Sequence, residues 1–254
     1  MRLISILIAC LVYAALPRST FAQSQEHAIV KILPLGDSIT QARNNRASYR
    51  HPLWKKLIDA DIEFEFVGSM NTQLGTFFPG TPPQPDHKGH IFDPDHEGHY
   101  AWQASDIAYG HNPNNNTGSG RLSEWLLNYD FDIALVHLGT NDAHLGQSNA
   151  QITGEIKDVI EALRNDNPHA IVLLALLIPT AKSGAKQSPI ERLNVSIPSL
   201  VSEMNTLESP VILVDQFTGF NAEFDTYDGV HPNARGEDKM AQRWFDAIVA
   251  VLSR

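Results

Sequence analysis

From Ile29 onward the chain alternates short, strongly apolar runs with longer amphipathic stretches, and few folds accommodate that pattern. Ile29 to Leu35, Ile62 to Val67, Phe131 to Leu138, Ile171 to Ile178 and Val211 to Val214 are apolar enough to be covered on both faces, as parallel strands inside a helical coat are. Between and after them, helical spacing marks four stretches: Leu53, Leu57 and Ile58; Ile152, Ile156, Val159, Ile160 and Leu163; Leu193, Ile197, Leu200 and Val201, interrupted by Pro198; and Met240, Trp244, Ile248 and Val251. The pattern predicts a three-layer α/β/α domain of flavodoxin-like type with a five-stranded parallel sheet, whose ligands sit beyond the carboxyl ends of the strands. One segment breaks the alternation. Gly68 to Gly120 is rich in Gly, Pro, Asn, Asp and His with little periodicity, and a loop that long in a compact domain is a functional one as a rule.

With 254 residues, 43% hydrophobic and 19% charged, the chain can bury one large core without disulfides or a structural metal. Its first residues read differently. Met1 and Arg2 precede an apolar stretch from Leu3 to Leu16, then Pro17, Arg18 and a small-residue exit at Thr20, Phe21 and Ala22, the layout of a secretory signal peptide cleaved after Ala22. The run is too short to span a bilayer, so the reading is a secreted or periplasmic protein with one domain over residues 23–254. Leu7-Ile8-Ala9-Cys10 resembles a lipobox but lies inside the apolar run rather than at its end. Cys10 is the only cysteine, and its loss with the leader excludes thiol catalysis and a cysteine-ligated zinc. The net charge of −10 becomes −12 when Arg2 and Arg18 leave, and no Lys/Arg run tracks a phosphate backbone, so nucleic acid is excluded as a partner.

Three short blocks fall at strand ends. Gly36-Asp37-Ser38 follows the first strand and can present a serine hydroxyl at the sheet rim. A serine needs a base within hydrogen-bond reach, a group to orient that base, and donors for the oxyanion. Asp228-Gly229-Val230-His231 follows the fifth strand, and its spacing lets one turn bring the carboxylate beside the imidazole. Gly139-Thr140-Asn141-Asp142 ends the third strand, where the Asn141 amide can face a developing negative oxygen. Asp37 and Asp142 read as turn-holding or capping residues, and His137, inside an apolar strand, as a core residue.

In this order the blocks resemble those of the GDSL or SGNH hydrolase family, from about Ile32 to Asn233. The resemblance implies Ser38 as nucleophile, Asp228 and His231 as its partners, and an oxyanion hole of the Ser38 N–H, a second-block N–H and Asn141. The second block, Asp95-His96-Glu97-Gly98-His99-Tyr100-Ala101-Trp102, is similar to the His-Glu-Gly-x-x-Gly-Trp stretch of carbohydrate esterase family 3, with Ala101 where that family has glycine and Gly98 as the alternative donor. Ser48-Tyr49-Arg50 and Phe66-Val67-Gly68-Ser69 fit the same subgroup. It implies a secreted serine esterase that removes O-acetyl groups from a polysaccharide such as xylan, without a cofactor. Other esterases of the family (deacetylases of rhamnogalacturonan or sialate, lipases, lysophospholipases, thioesterases) and a carbohydrate-binding protein on a retired hydrolase scaffold are the alternatives.

Asp86, His87, His90, Asp93, Asp95, His96 and His99 are metal-ligand types, but their spacing matches no zinc signature, and no metal is assigned. Tyr100, Trp102, Phe77 and Phe78 are aromatic candidates either to line a sugar cleft or to pin the long loop. Asn115-Asn116-Thr117 and Asn194-Val195-Ser196 are glycosylation sequons, relevant only in a eukaryotic secretory route.

Overall fold

The structure is a computed structural model and describes residues 29–43, 48–72, 84–110, 119–181 and 188–254. The expected leader over residues 1–22 with Cys10, the aromatics Phe77 and Phe78, and the sequon at Asn115 lie outside the described residues.

Parallel strands form the middle layer: β1 (Val30–Gly36), β2 (Phe64–Phe66), β3 (Glu97–Gly98), β4 (Ile133–His137), β5 (Ile171–Leu176) and β6 (Val211–Asp215). The order β2-β1-β4-β5-β6 is the flavodoxin-like arrangement expected from the apolar runs. The sixth strand, β3, is new. It pairs with the last residues of β1, Leu35 with Glu97 and Gly36 with Gly98, on the edge whose first half is held by β2. Two residues are too few to leave a period in the sequence, yet they draw the long glycine- and histidine-rich segment to the carboxyl end of β1.

Strand side chains alternate between two cores, as a pleated sheet covered on both faces requires. Leu33, Leu35, Ala134, Val136, Val172 and Leu174 face one cluster, which the helix Asn149–Asp166 closes with Ile152, Ile156, Val159, Ile160 and Leu163. Ile32, Ile133, Leu135, Leu173 and Ala175 face the other, where α2 (Arg50–Asp59) packs on the helix Ala234–Leu252, Tyr49 meeting Trp244 at 6.0 Å. The stretch expected as one helix around Leu193 to Val201 is two, Pro189–Asn194 and Ile197–Met204. Pro198 stands in the first turn of the second, where its missing N–H removes no helical bond.

Candidate active site

Four strand ends and the loops after them converge at the carboxyl edge of the sheet. At the end of β1 a side chain on Gly36 would lie 2.4 Å from the His137 carbonyl oxygen, so the chain leaves the strand on a glycine by necessity. Asp37 caps the single turn α1 (Ser38–Gln41) by accepting the Ile39 N–H at 2.9 Å. The cap is therefore Asp37, and Ser38 is the first helical residue, 7% exposed, with its hydroxyl turned toward the edge.

Ser38 Oγ lies 2.9 Å from His231 Nε2, although 193 positions separate the two residues. His231 Nδ1 lies 2.8 Å from Asp228 Oδ2, and the other carboxylate oxygen accepts the backbone N–H groups of His231 and Val230 at 2.8 and 3.0 Å. Partial burial pushes the Asp228 carboxyl up, but those N–H groups and the ring outweigh it and hold the group below the ordinary carboxylate range. An ionised Asp228 beside Nδ1 favours the tautomer with its proton there, an arrangement in which the Nε2 lone pair can accept a proton from the serine. The turn carrying them is itself held. Thr226 Oγ1 accepts the Gly229 N–H at 2.9 Å, and Asn233, the cap of the helix Ala234–Leu252, accepts from the Arg235 and Gly236 N–H groups. Two tyrosines flank the imidazole with nearly parallel rings, Tyr227 at 5.7 Å and 15° and Tyr100 at 6.2 Å and 7°.

The second-block turn approaches from β3. Gly98 does not serve as an oxyanion donor there: its N–H goes to His96 Nδ1 at 2.9 Å, and a side chain on it would lie 2.5 Å from the Gln41 nitrogen. Ala101 is exposed and sits at φ 66°, the left-handed region that favours glycine. Its neighbours are fastened. The Tyr100 N–H donates to Gln41 Oε1 at 2.7 Å, the Trp102 N–H to the His99 carbonyl at 3.3 Å, and Asn141 Nδ2 donates to the Trp102 carbonyl at 2.8 Å. The Ala101 N–H has no acceptor among the described residues. Asn141 thus anchors the same turn with one amide proton and keeps a second for another acceptor. Asp142 accepts the Ala104 N–H at 2.9 Å, which ties the helix Ala104–Tyr109 to the end of β4.

Behind this turn lies a polar knot that sequence reasoning missed. Glu97 is fully buried and accepts from the Ser69 N–H and hydroxyl at 2.9 and 2.7 Å, from Tyr129 OH at 2.5 Å and from His99 Nε2 at 2.7 Å. The His99 ring is sandwiched between Trp102 at 4.4 Å and Trp125 at 4.3 Å. Gln41 and Tyr129 carry no motif, since their partners come from distant parts of the chain, and Glu97 stands in the second block without that block revealing what it holds. Trp102 is fully buried, so it pins the loop and does not line a cleft.

The other candidates are dispersed. His87 turns to Asp59 at 2.7 Å, Asp93 takes the Phe66 N–H at 2.7 Å, and His96 bonds the Thr72 carbonyl at 3.2 Å. No three His, Cys, Asp or Glu groups gather around one point among the described residues. His137 is buried, and desolvation lowers its ring to about 4, so that neutral Nε2 accepts the Ile178 N–H at 3.3 Å. The Asn194 amide is buried against both polar groups of Leu177, at 2.8 and 2.9 Å, which hides that sequon in the folded chain.

Comparison with known proteins agrees with this geometry. The GDSL-like lipase/acylhydrolase family model matches residues 35–239. A carbohydrate esterase family 3 protein from Talaromyces cellulolyticus is 34% identical, with a TM-score of 0.72 over 89% of this chain and 99% of that one. An acetyl esterase variant crystallised with an acetate ion is 33% identical, with the same TM-score and the same coverage of both chains. A multidomain esterase of Ruminococcus flavefaciens is 26% identical over 235 residues, which are 88% of this chain but 29% of that protein's length. The chain belongs to the GDSL-like lipase/acylhydrolase family of carboxylic ester hydrolases and, within it, stands with carbohydrate esterase family 3.

Proposed function

We propose that this chain is an exported serine esterase that removes O-acetyl groups from a polysaccharide, with acetylated xylan as the substrate. The observation that carries the reading is the continuous line of hydrogen bonds from Ser38 Oγ through the His231 ring to Asp228. Ser38 Oγ attacks the ester carbonyl while Nε2 takes its proton, and Asp228 stabilises the resulting imidazolium. The oxyanion receives the N–H groups of Ser38 and Ala101 and the second Asn141 amide proton, donors that need no deprotonation and no reorganisation. His231 returns the proton to the departing sugar oxygen, and water then repeats the cycle to release acetate from Ser38. Every atom of that cycle comes from the chain, the ester and water.

Acetyl as the acyl group is supported by the family 3 esterase and the acetate-bound acetyl esterase among the relatives. Export is supported by the leader-like residues 1–22, and no helix among the described residues is long and apolar enough to cross a membrane. The test is acetate release from acetylated xylan and from an acyl series running from aryl acetate to aryl decanoate, with Ser38→Ala as the control. The reading expects steep loss beyond short chains and no turnover without the serine. Turnover retained in Ser38→Ala would refute the mechanism, and decanoate hydrolysed as fast as acetate would turn the assignment to a lipolytic esterase.

A further inference from the structure

We propose that Tyr227 is the platform on which the sugar of the leaving group stacks, an inference that rests on the esterase reading above. A general acid must lie within about 3 Å of the oxygen it protonates, so the ester's bridging oxygen sits against His231 Nε2. The pyranose begins one bond beyond that oxygen. It therefore lies at the edge of the imidazole, to which two rings run nearly parallel, Tyr227 at 5.7 Å and Tyr100 at 6.2 Å. Tyr100 is half-buried, whereas Tyr227 keeps 43% of its surface exposed while also bordering the crevice beside Ser38. A pyranose presents an apolar C–H face with a hydroxyl rim, which suits an aromatic ring at a wet edge.

The platform is built into the same turn as the imidazole. The Tyr227 N–H donates to the His231 carbonyl at 3.0 Å, and Thr226 pairs with Pro232 across the turn, so the ring is placed before substrate arrives. The sequence gives no hint of this, because an isolated tyrosine one residue before Asp228 carries no pattern.

The experiment compares a singly acetylated xylotriose with ethyl acetate, which has no ring to stack. Its readout is the ratio of the two kcat/KM values in the wild type, Tyr227→Ala and Tyr227→Phe. The ratio should fall by roughly three- to tenfold in the alanine variant, through KM for the xylotriose, and be retained in the phenylalanine variant. An unchanged ratio in Tyr227→Ala, with both rates lowered alike, would overturn the proposal and leave the ring as packing for His231. Should Tyr227→Ala turn over neither ester, binding of the acetylated xylotriose to Ser38→Ala and to Ser38→Ala/Tyr227→Ala decides: several-fold weaker binding in the double variant is expected, and equal affinity overturns the inference. Wild-type turnover of ethyl acetate without turnover of the xylotriose overturns the platform alone, whereas a wild type inert toward both esters sinks the esterase reading itself.

Discussion

Replacing Ala101 by glycine should stabilise the protein and leave its site working. Ala101 holds φ 66°, where its Cβ crowds the following carbonyl at a cost of about 1–2 kcal/mol for an L-residue. Its methyl is exposed, so removing it gives up no core contact. Against the relief stands the extra backbone freedom of glycine in the unfolded chain, about 0.5–1 kcal/mol. The balance is a gain of about 0–1.5 kcal/mol, up to roughly 6 °C in melting temperature for a domain of this size. The backbone N–H is unchanged, and the turn stays fastened by Gln41 and Asn141, so kcat for an aryl acetate should stay within about threefold, since no transition-state donor is lost. The assay is paired: urea or thermal unfolding of wild type, Ala101→Gly and Ala101→Val, with kcat and KM on each. Valine, β-branched and more strongly opposed to positive φ, should destabilise by more than about 1 kcal/mol. A glycine variant less stable than wild type, beside a tolerated valine, would show that residue 101 does not occupy the left-handed region and would remove the account of the oxyanion turn built on it.

Asn141→Ala removes both the proposed oxyanion donor and the anchor of the Trp102 carbonyl; kcat should fall by roughly 10²–10³ with KM nearly constant, and a loss under fivefold in steady-state kinetics would count against the role. Gln41→Leu deletes the acceptor of the Tyr100 N–H, and should cost about 1 kcal/mol of stability by leaving a part-buried donor unpaired while lowering kcat more than it raises KM, measured by unfolding and by rates on the same preparation. Burial, with the Asp142 carboxylate adding to it, raises Asp37 to about 7 from an ordinary 3.8. The folded state thus keeps this proton between pH 4 and 7 where the unfolded chain releases it, and the stability it contributes is full below the unfolded value and lost as pH rises through about 7. The stability of wild type minus that of Asp37→Asn should therefore shrink by up to about 4 kcal/mol from pH 4 to pH 7.5 in urea titrations, and a constant difference would refute the shift.

Much of the fold is written in local apolar pattern. The five apolar runs became strands because each carries enough hydrophobic surface to be covered twice, and the run at Ile171 even begins where its strand does. At two strands both ends moved inward, Phe131 to Leu138 shrinking to Ile133–His137 and Ile62 to Val67 to Phe64–Phe66, since a flanking apolar residue can serve the core from a loop as well as from a ladder. Pattern also spoke for the helix that turned out to be two. Apolar spacing runs on through the break after Asn194, whose side chain is spent on Leu177.

The sequence by itself determined the layered architecture and the chemistry on offer, because periodicity and strand-end blocks are properties of neighbouring residues: a serine after one strand, an aspartate and histidine one turn apart after another. Only the tertiary structure decided which groups meet. Ser38 and His231 are 193 positions apart, Gln41 and Tyr100 are 59, Glu97 and Tyr129 are 32, and nothing local records that such pairs will share a proton. The same holds for Ala101 and Tyr227. The left-handed φ is held by the bonds of Gln41 and Asn141 to the neighbours of Ala101, and the ring parallel to the imidazole by the turn that Thr226 and Pro232 close, so neither follows from the preference of a single residue.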